Sequence, residues 1–371
     1  MCCMVAKKLG CKHTIARVRN PEYDQQIRFM RDELGLSMVI NPEKAAALEI
    51  FRLLQFPSFL KRDSFARGNA ELVELKLKDG NPLIGKPLQQ FRTVADVNAL
   101  VCAVERDNEI HIPKGDFTLH LGDKVTIAAD AADLVKLIKN LKVYSPKAQR
   151  VMIVGGSRTA AYLAQRLIRN KIDLTIVEQD EKRCMDLSEA LPQATVINGN
   201  GTDQRLLLSE GIASADAVVS LMGIDEENLL VSMFASYVGV PKSITKISRN
   251  EYNPIFESMG MDSIVSPKLL TANEIVRYVR AMEDTTGGSV LTLYKIVDGK
   301  AEALEFKVCG SSAITQTALK DPALKPNTLI AGIIRGRKTI IPTGEDKIMP
   351  GDKVVVLAAN RRLHDLTDII K

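Results

Sequence analysis

Short apolar runs alternate with longer amphipathic segments through the second half of the chain. The first run, Arg150 to Val154, leads into a glycine-containing turn, and Ala161 to Arg169 then has the apolar spacing of a helix. Further apolar runs predict strands at 174–177, 195–197, 217–221, 243–247 and 263–265. Strands that alternate with helices form right-handed crossovers and a parallel sheet. The pattern therefore predicts a doubly wound α/β domain.

The last third of the chain repeats its first third at a nearly constant offset. Residues 12–23 match residues 241–252, and residues 122–125 match residues 351–354, each 229 positions later. This repeat indicates a chain built from two copies of one unit.

The offset between the copies slips by four residues in the middle of the repeat. Pro42 pairs with Pro267 at an offset of 225, and such slips belong in loops. Because Met1 falls opposite Leu230, residues 150–229 of the second copy have no counterpart in the first. We therefore expect the first copy to contain only the C-terminal part of its α/β domain.

The repeat predicts four domains, α/β doubly wound parallel-sheet domains alternating with small α+β domains in tandem. They comprise a partial first nucleotide-binding domain at 1–61, a small α+β domain at 70–141, a complete Rossmann-like domain at 150–283 and a second small α+β domain at 288–371. Linkers are expected at Ser145-Pro146 and at Gly287-Gly288-Ser289.

Composition excludes several classes of protein. No apolar run approaches the about twenty residues of a membrane span. Fifty basic against forty-five acidic residues give a net charge of +5 without a basic tail, which argues against nucleic-acid binding. The six cysteines have no regular spacing and the four histidines are scattered, so neither a disulfide framework nor a zinc site is predicted, and a reducing cytosol is favoured.

The turn after the first strand of the complete α/β domain holds the candidate chemistry. A dinucleotide site has the pattern G-x-G-x-x-G/A, with a glycine for the turn, a second for close approach to the pyrophosphate and a small third residue for packing. Those places hold Gly155, Ser157 and Ala160. Glu178, at the end of the second strand, favours a ribose with free hydroxyls and so NAD or adenosine over NADP. The alternative is a domain that has kept the fold and lost the ligand.

The small domains and the turn carry a family resemblance. The pattern I-P-x-G-[DE]-x-x-[LI]-x-x-G-D-K-V occurs at Ile112 to Val125 and again at Ile341 to Val354. Together with the glycine turn, Glu178 and the block IARVRNPEY at Ile15 to Tyr23, it resembles the regulator-of-potassium-conductance family, over essentially the whole chain.

The resemblance implies a cytoplasmic homo-oligomeric ring, peripheral to the membrane, that opens or closes a potassium-translocating membrane protein according to bound NAD(H) or ATP/ADP. It implies no catalysis and no metal. Carried over by position, its nucleotide site consists of the following residues: Gly155, Gly156, Ser157, Arg158, Thr159, Glu178, Met222, Gly223 and Lys246, with Arg17 as the remnant of a first site.

Four positions depart from the family pattern and leave occupancy of this site open. Ser157 stands for a glycine, Met222 for a small polar residue, Lys246 for an arginine and Asn200 for a frequent aspartate.

Two functions from different classes remain, a regulatory subunit and an NAD-dependent oxidoreductase whose small domains bind substrate. Hydride transfer needs an acid or base near the nicotinamide, typically His, Lys or Tyr. None of His13, His111, His120 and His364 lies in the second nucleotide-binding domain. The sequence therefore favours regulation.

Overall fold

The structure is a computed structural model of all 371 residues. It describes residues 2–19, 26–27, 31, 33–56, 58–65, 70–107, 109–143, 147–249, 251, 256, 259, 263–283, 290–296, 301–310, 314–315, 317–320, 324–336, 338–359, 363 and 365–370.

The described residues form nine α-helices and eighteen strands. The helices are α1 (Cys2–Lys8), α2 (Pro42–Gln55), α3 (Phe91–Ala95), α4 (Leu134–Asn140), α5 (Arg158–Arg169), α6 (Glu181–Ala190), α7 (Gln204–Ser209), α8 (Asp225–Tyr237) and α9 (Pro267–Glu283).

The strands of the first 150 residues are β1 (Ile15–Arg17), β2 (Met38–Ile40), β3 (Lys61–Phe65), β4 (Ala70–Lys76), β5 (Ala99–Arg106), β6 (Glu109–His111) and β7 (Lys124–Asp130). The later strands are β8 (Arg150–Val154), β9 (Asp173–Glu178), β10 (Thr195–Asn198), β11 (Ala217–Ser220), β12 (Lys242–Lys246), β13 (Ile264–Val265), β14 (Val290–Ile296), β15 (Ala301–Lys307), β16 (Thr328–Arg335), β17 (Lys338–Ile340) and β18 (Lys353–Ala359).

One compact unit combines Met1–Pro57 with Pro146–Ala272. Its main sheet has six parallel strands in the order β10-β9-β8-β11-β12-β13, which is the doubly wound order with a reversal between β8 and β11. The predicted fold class is confirmed. The remnant of the first copy contributes a parallel pair, β1 and β2.

Helix α2 of the first copy packs against α5 of the second within this unit. Ala46, Ile50 and Leu54 of α2 belong to the same buried core as Leu163 and Leu167 of α5. The two copies therefore share one hydrophobic core rather than two separate ones.

The second compact unit combines Ser58–Ser145 with Asn273–Lys371. It holds two antiparallel sheets of the same design, β3-β4-β7-β5-β6 and β14-β15-β18-β16-β17. Both sheets carry a register shift at the same place, between Val101 and Ala103 in one and between Ile330 and Gly332 in the other. Because these positions are 229 residues apart, the repeat read from the sequence is also a structural repeat.

The two small sheets share a core of small side chains. Cys102 and Ala331, the residues at the two register shifts, are fully or almost fully buried in one cluster with Ala103, Ala303 and Leu357. Small side chains allow the two sheets to approach closely.

An arginine–aspartate pair is repeated in each small domain. Arg106 donates two hydrogen bonds of 2.8 Å to the carboxylate of Asp123, and Arg335 makes the equivalent bonds of 2.9 and 2.8 Å to Asp352. Each aspartate also accepts the backbone N–H three residues before it, at 2.8 Å. The aspartate of the G-D-K-V motif is thus a buried anchor for the turn that precedes β7 or β18.

Several element limits differ from the prediction. Helix α5 begins at Arg158 rather than Ala161, because Ser157 caps it and the whole turn after Gly156 is helical. In the first copy, strand β1 is short and pairs with β2 over Ile15–Arg17. Both predicted linkers, Ser145-Pro146 and Gly287-Gly288-Ser289, lie outside the described residues, and the predicted domain limits remain predictions.

Within the described residues, no helix combines the length and apolar character that a membrane crossing requires. The same residues contain no cluster of three or more His, Cys, Asp or Glu side chains able to hold a metal ion.

We expect Asp352→Asn to lower the free energy of unfolding by about 2–4 kcal/mol, because it removes one partner of a buried charge pair. The matched control is Glu345→Gln, which breaks the exposed pair with Lys320 and should cost less than about 1 kcal/mol. Urea unfolding of the three proteins measures both values. Equal stabilities for Asp352→Asn and Glu345→Gln would contradict the anchoring role.

The same pair predicts a pH dependence. Burial alone would raise the pKa of Asp352, but hydrogen bonds from Arg335 and from the Met349 amide outweigh it and hold the pKa below its ordinary value. A lowered pKa stabilises the fold above the ordinary aspartate pKa of about 3.9, and this contribution is lost as the pH falls through the folded-state value. The difference in melting temperature between wild type and Asp352→Asn should therefore shrink as the pH is lowered from 7 towards 3.

The Cys102 thiol offers a probe of the shared core of the small domains. Burial raises its pKa to about 12, against a weaker opposing effect of a backbone hydrogen bond with Ala128, so the thiol stays protonated and inert in the folded chain. A thiol reagent at pH 8 should modify the exposed Cys2, Cys11 and Cys309 readily and Cys102 only when denaturant opens the core. Mass spectrometry of digested samples would show the order, and modification of Cys102 at the rate of Cys309 in plain buffer would contradict it.

Candidate functional site

A cleft of about 780 Å³ lies at the carboxyl edge of the six-stranded sheet, where the strand order reverses between β8 and β11. Ligands of open α/β sheets bind at this point of the fold. The lining comes from five segments: 155–158, 177–180, 182–183 with Asp186, Asn200-Gly201, and 221–224 with Glu227.

The turn at Gly155 can be made only by glycine. Its backbone has φ of +102°, in the region that side chains disfavour, and its N–H donates to Val177 O at 2.8 Å. A Cβ on Gly155 would lie 2.7 Å from Met222 N and 2.8 Å from Leu221 C, inside any real contact distance. The bare backbone of Gly155 therefore lets the ends of β8 and β11 close together beneath the cleft.

Ser157 replaces the second glycine of the fingerprint without strain. Its φ of −63° is open to any residue, and its hydroxyl caps α5 by accepting the Ala160 N–H at 3.4 Å. The N–H groups of Arg158 and Thr159 also lie in the first turn, where a helix has no internal acceptors for them. The side chain thus narrows the approach to the helix end but leaves its N-terminal turn directed at the cleft.

Glu178 ends β9 with both carboxylate oxygens held. Oε2 accepts the Gly156 N–H at 2.5 Å and Oε1 accepts the Asp180 N–H at 2.9 Å. Arg183 of α6 donates to the carbonyl of Gly156 at 2.7 Å, so the two peptide groups that flank the Gly156 Cα are each held by a side chain. A carboxylate fixed in this way, with lone pairs to spare, can accept ribose hydroxyls and repel a 2′-phosphate.

The opposite wall is a network built on Asn228, which is fully buried on α8. Its side chain accepts the Met222 N–H at 2.8 Å and donates to Met222 O and Lys246 O, each at 3.1 Å. The Lys246 ammonium also donates to Met222 O, at 2.5 Å. Lys246 therefore lies behind the cleft wall rather than lining it.

Burial lowers the pKa of Lys246, and the nearby Asp225 carboxylate opposes this effect. Asp225 is buried and accepts the N–H groups of Ser248 and Arg249, at 2.9 and 3.0 Å. The Asp225 carboxylate therefore mainly stabilises the turn after β12.

The structure places the predicted site residues in three groups. Gly155, Gly156, Ser157, Arg158, Glu178, Met222 and Gly223 all line the cleft. Thr159 is buried in the first turn of α5, and Lys246 contacts the cleft wall from behind. Arg17 is not brought to the cleft, since it ends β1 in the first copy and its guanidinium lies 3.7 Å from Glu43. As nucleotide ligands these residues remain predictions.

Sequence reasoning missed Arg183 and Asn228. Arg183 stands five residues after Glu178 in a charged helix, where nothing in the sequence separates it from solvated neighbours such as Lys182. Asn228 lies near the start of α8, and a buried amide at such a position is almost always hydrogen-bonded.

The residues present fit an adenine dinucleotide or mononucleotide. The backbone at Gly155 carries no side chain beneath the cleft, and the Glu178 carboxylate accepts the Gly156 N–H beside the helix end that would receive phosphates. Arg158, Lys182 and Arg183 add positive charge, and Asp180, Asp186 and Glu227 add negative charge at other points of the lining.

Comparison with known proteins matches family models to three parts of the chain. The TrkA-N domain matches residues 151–267, and the TrkA-C domain matches twice, at 72–142 and 304–371. Among solved structures, the GsuK channel aligns with a TM-score of 0.57 at 17% identity, over 96% of this chain and 62% of that one, and a structure of the GsuK channel bound to NAD aligns with a TM-score of 0.55. At this identity the likeness shows the fold alone.

Curated relatives are similar over nearly the whole chain. The Trk system potassium uptake protein TrkA homolog 1 of Methanosarcina mazei is 33% identical over 364 residues, which are 96% of this chain and 80% of that protein. The TrkA protein of Halomonas elongata is 30% identical over 366 residues, with 97% and 79% covered. Because the repeat, both domain types and this level of identity agree, the chain belongs to the TrkA family of Trk system potassium uptake proteins.

Proposed function

We propose that this chain is a cytoplasmic, non-catalytic regulatory subunit of a potassium-uptake system, peripheral to the membrane. The cleft at Gly155 binds an adenine nucleotide, and its occupancy controls a Trk-type potassium-translocating membrane subunit. The observation that carries the proposal is the bare Gly155 turn facing a fixed Glu178 carboxylate at the switch point of the sheet. The assignment to potassium uptake comes from the relatives, which are named as Trk system potassium uptake proteins.

The ligand we propose is NAD(H), with ATP or ADP as the other candidates. The Glu178 carboxylate favours a ribose without a 2′-phosphate, and the GsuK channel offers a precedent for NAD in this fold. The Ser157 side chain narrows the phosphate approach, so we expect weak binding.

Nucleotide binding can drive gating only through a difference in affinity between two arrangements of the assembly. A homo-oligomer docked on the membrane subunit supplies such arrangements. In this proposal the chain moves no ions itself, and its effect is a domain movement passed to the pore.

The competing function, an NAD-dependent oxidoreductase, lacks support at the cleft. The described residues that line it include neither His nor Tyr, and its lysine, Lys182, belongs to an exposed position beside Glu178. No specific observation favours hydride transfer.

Ser157→Gly should bind NADH more tightly than wild type, because it removes the side chain at the phosphate approach and costs only a few tenths of a kcal/mol of capping energy. At NADH concentrations about 100 times the dissociation constant, ligand binding should add about 2.7 kcal/mol to the stability of either protein. Thermal shift titrations of both proteins with NADH, ADP and ATP measure the affinity and the stabilisation.

The matched control is Gly156→Ala, whose Cβ would lie 2.6 Å from Leu187 Cδ1 and 2.8 Å from Glu178 Oε2. It should lose most of the shift relative to its own ligand-free melting temperature, and NADPH should shift wild type less than NADH. Absence of any shift with all three nucleotides, in wild type and in Ser157→Gly alike, would show that the fingerprint is only structural.

The potassium function is tested in cells that lack potassium uptake. Co-expression of this chain with a Trk-type membrane subunit should increase rubidium uptake at low potassium over the membrane subunit alone. Gly155→Val should remove the increase, since its side chain meets backbone at 2.7 Å, whereas Gly310→Ala has open space and should behave as wild type. Equal uptake without a membrane subunit, or turnover of NADH with added oxidants, would refute the regulatory function.

A further inference from the structure

One buried hydrogen bond joins residues of the two copies. The Asn41 amide donates to the Tyr162 hydroxyl at 2.9 Å, although the residues are 121 positions apart in sequence. Each residue is only 8% exposed. Tyr162 lies on α5, the helix whose N-terminus faces the cleft, and Asn41 lies at the start of α2.

Asn41 uses both ends of its side chain. Its oxygen accepts the Lys44 N–H at 3.0 Å and so caps α2, while its NH2 group makes the bond to Tyr162. These two bonds fix the orientation of the amide. The start of α2 is therefore tied directly to the side of α5.

Apolar side chains also pack between the two helices. Ala46, Ala47 and Ile50 of α2 share a core with Ala160 and Leu163 of α5. Apolar contact is non-directional, whereas a hydrogen bond between buried groups has a defined distance and angle. The Asn41–Tyr162 bond thus adds a directional contact to this apolar interface.

The two helices that this hydrogen bond joins lead to the cleft and to the first small domain. Helix α5 begins at Ser157 in the cleft, so a bound phosphate would act on its N-terminal turn. Helix α2 ends at Gln55, and the chain then enters the first strand of the first small domain at Lys61.

The second copy caps the equivalent helix with a different residue. Ser266 stands at the position equivalent to Asn41 and caps α9 by accepting the Leu269 N–H at 3.3 Å. A serine has the cap acceptor but is too short to provide the second, donating arm. The amide at position 41 is therefore not required for capping itself.

We infer that Tyr162 and Asn41 are positioning residues that transmit nucleotide occupancy from the cleft to the first copy. This rests on the proposed nucleotide binding. When a nucleotide orders the N-terminal turn of α5, the hydrogen bond carries that order to the first turn of α2. Without the bond, the cleft still binds nucleotide, and α2 no longer responds.

Hydrogen exchange of the full chain, with and without saturating NADH, tests this inference, and ADP serves as a second probe. In wild type, NADH should slow amide exchange in the first turn of α5 and also in α2. We expect the slowing in α2 to be about fivefold, which is at the low end of usual coupling strengths between sites. Tyr162→Phe should keep the slowing at α5 and an NADH affinity within about twofold, but lose the slowing at α2. A merely structural hydroxyl would change exchange of α2 equally in both states.

Two further variants keep the test decisive. Asn41→Ser removes the donor while retaining the cap, as Ser266 does, and should match Tyr162→Phe even if that variant folds poorly. Tyr237→Phe removes the same hydroxyl from an 87% exposed position and should match wild type.

Three outcomes separate the two proposals. Nucleotide-dependent slowing of α2 that survives in both Tyr162→Phe and Asn41→Ser would overturn the inference and leave nucleotide binding intact. Slowing at α5 without any response of α2 in wild type would also overturn it. No effect of NADH or ADP on α5 in wild type would overturn the proposed nucleotide site, and the inference with it.

Discussion

The contact between the ends of β8 and β11 at Gly155 is the constraint on which the site depends. The backbone of Gly155 lies so close to the end of β11 that a Cβ at this position would be 2.7 Å from Met222 N. This closeness sets the direction in which α5 leaves the sheet and therefore where its N-terminus points. It also places the Glu178 carboxylate within 2.5 Å of the Gly156 N–H. The floor of the cleft, the direction of the α5 N-terminus and the position of the Glu178 carboxylate all depend on the absence of a side chain at Gly155.

Around that turn the cleft is braced by groups that a nucleotide would otherwise use. Arg183 and Glu178 hold the carbonyl and the N–H of Gly156, and Ser157 satisfies one of the N–H groups of α5 itself. Internal satisfaction of this kind makes the site stable without ligand and lowers the gain on binding, because a ligand bond replaces a protein bond rather than an empty position. Such a reduced gain is consistent with the proposed regulatory role, in which the ligand must be released.

The two copies share the arginine–aspartate pairs and register shifts of their small domains, but they differ at positions in and near their α/β domains. Asp123 and Asp352 anchor equivalent turns through equivalent arginines, and the register shifts of both small sheets coincide. By contrast, Arg17 faces Glu43 where its counterpart Lys246 meets Met222 O. Asn41 likewise reaches α5 where Ser266 only caps a helix. The two copies are therefore alike in their small domains and differ in the contacts at these positions.

The repeat, the doubly wound domain, the glycine turn and Glu178 could all be predicted from the amino-acid sequence, because apolar periodicity, glycine and strand-end positions are local signals. The start of α5 was missed by three residues, since capping by Ser157 depends on a local hydrogen bond that periodicity does not record. The three-dimensional fold was needed to show that Arg17 pairs with Glu43, that Arg183 and Asn228 brace the cleft, and that Asn41 contacts Tyr162. These contacts join residues distant in sequence or on separate elements, and their partners are chosen by how α2 packs on α5 and how the strand ends converge, which no single segment encodes.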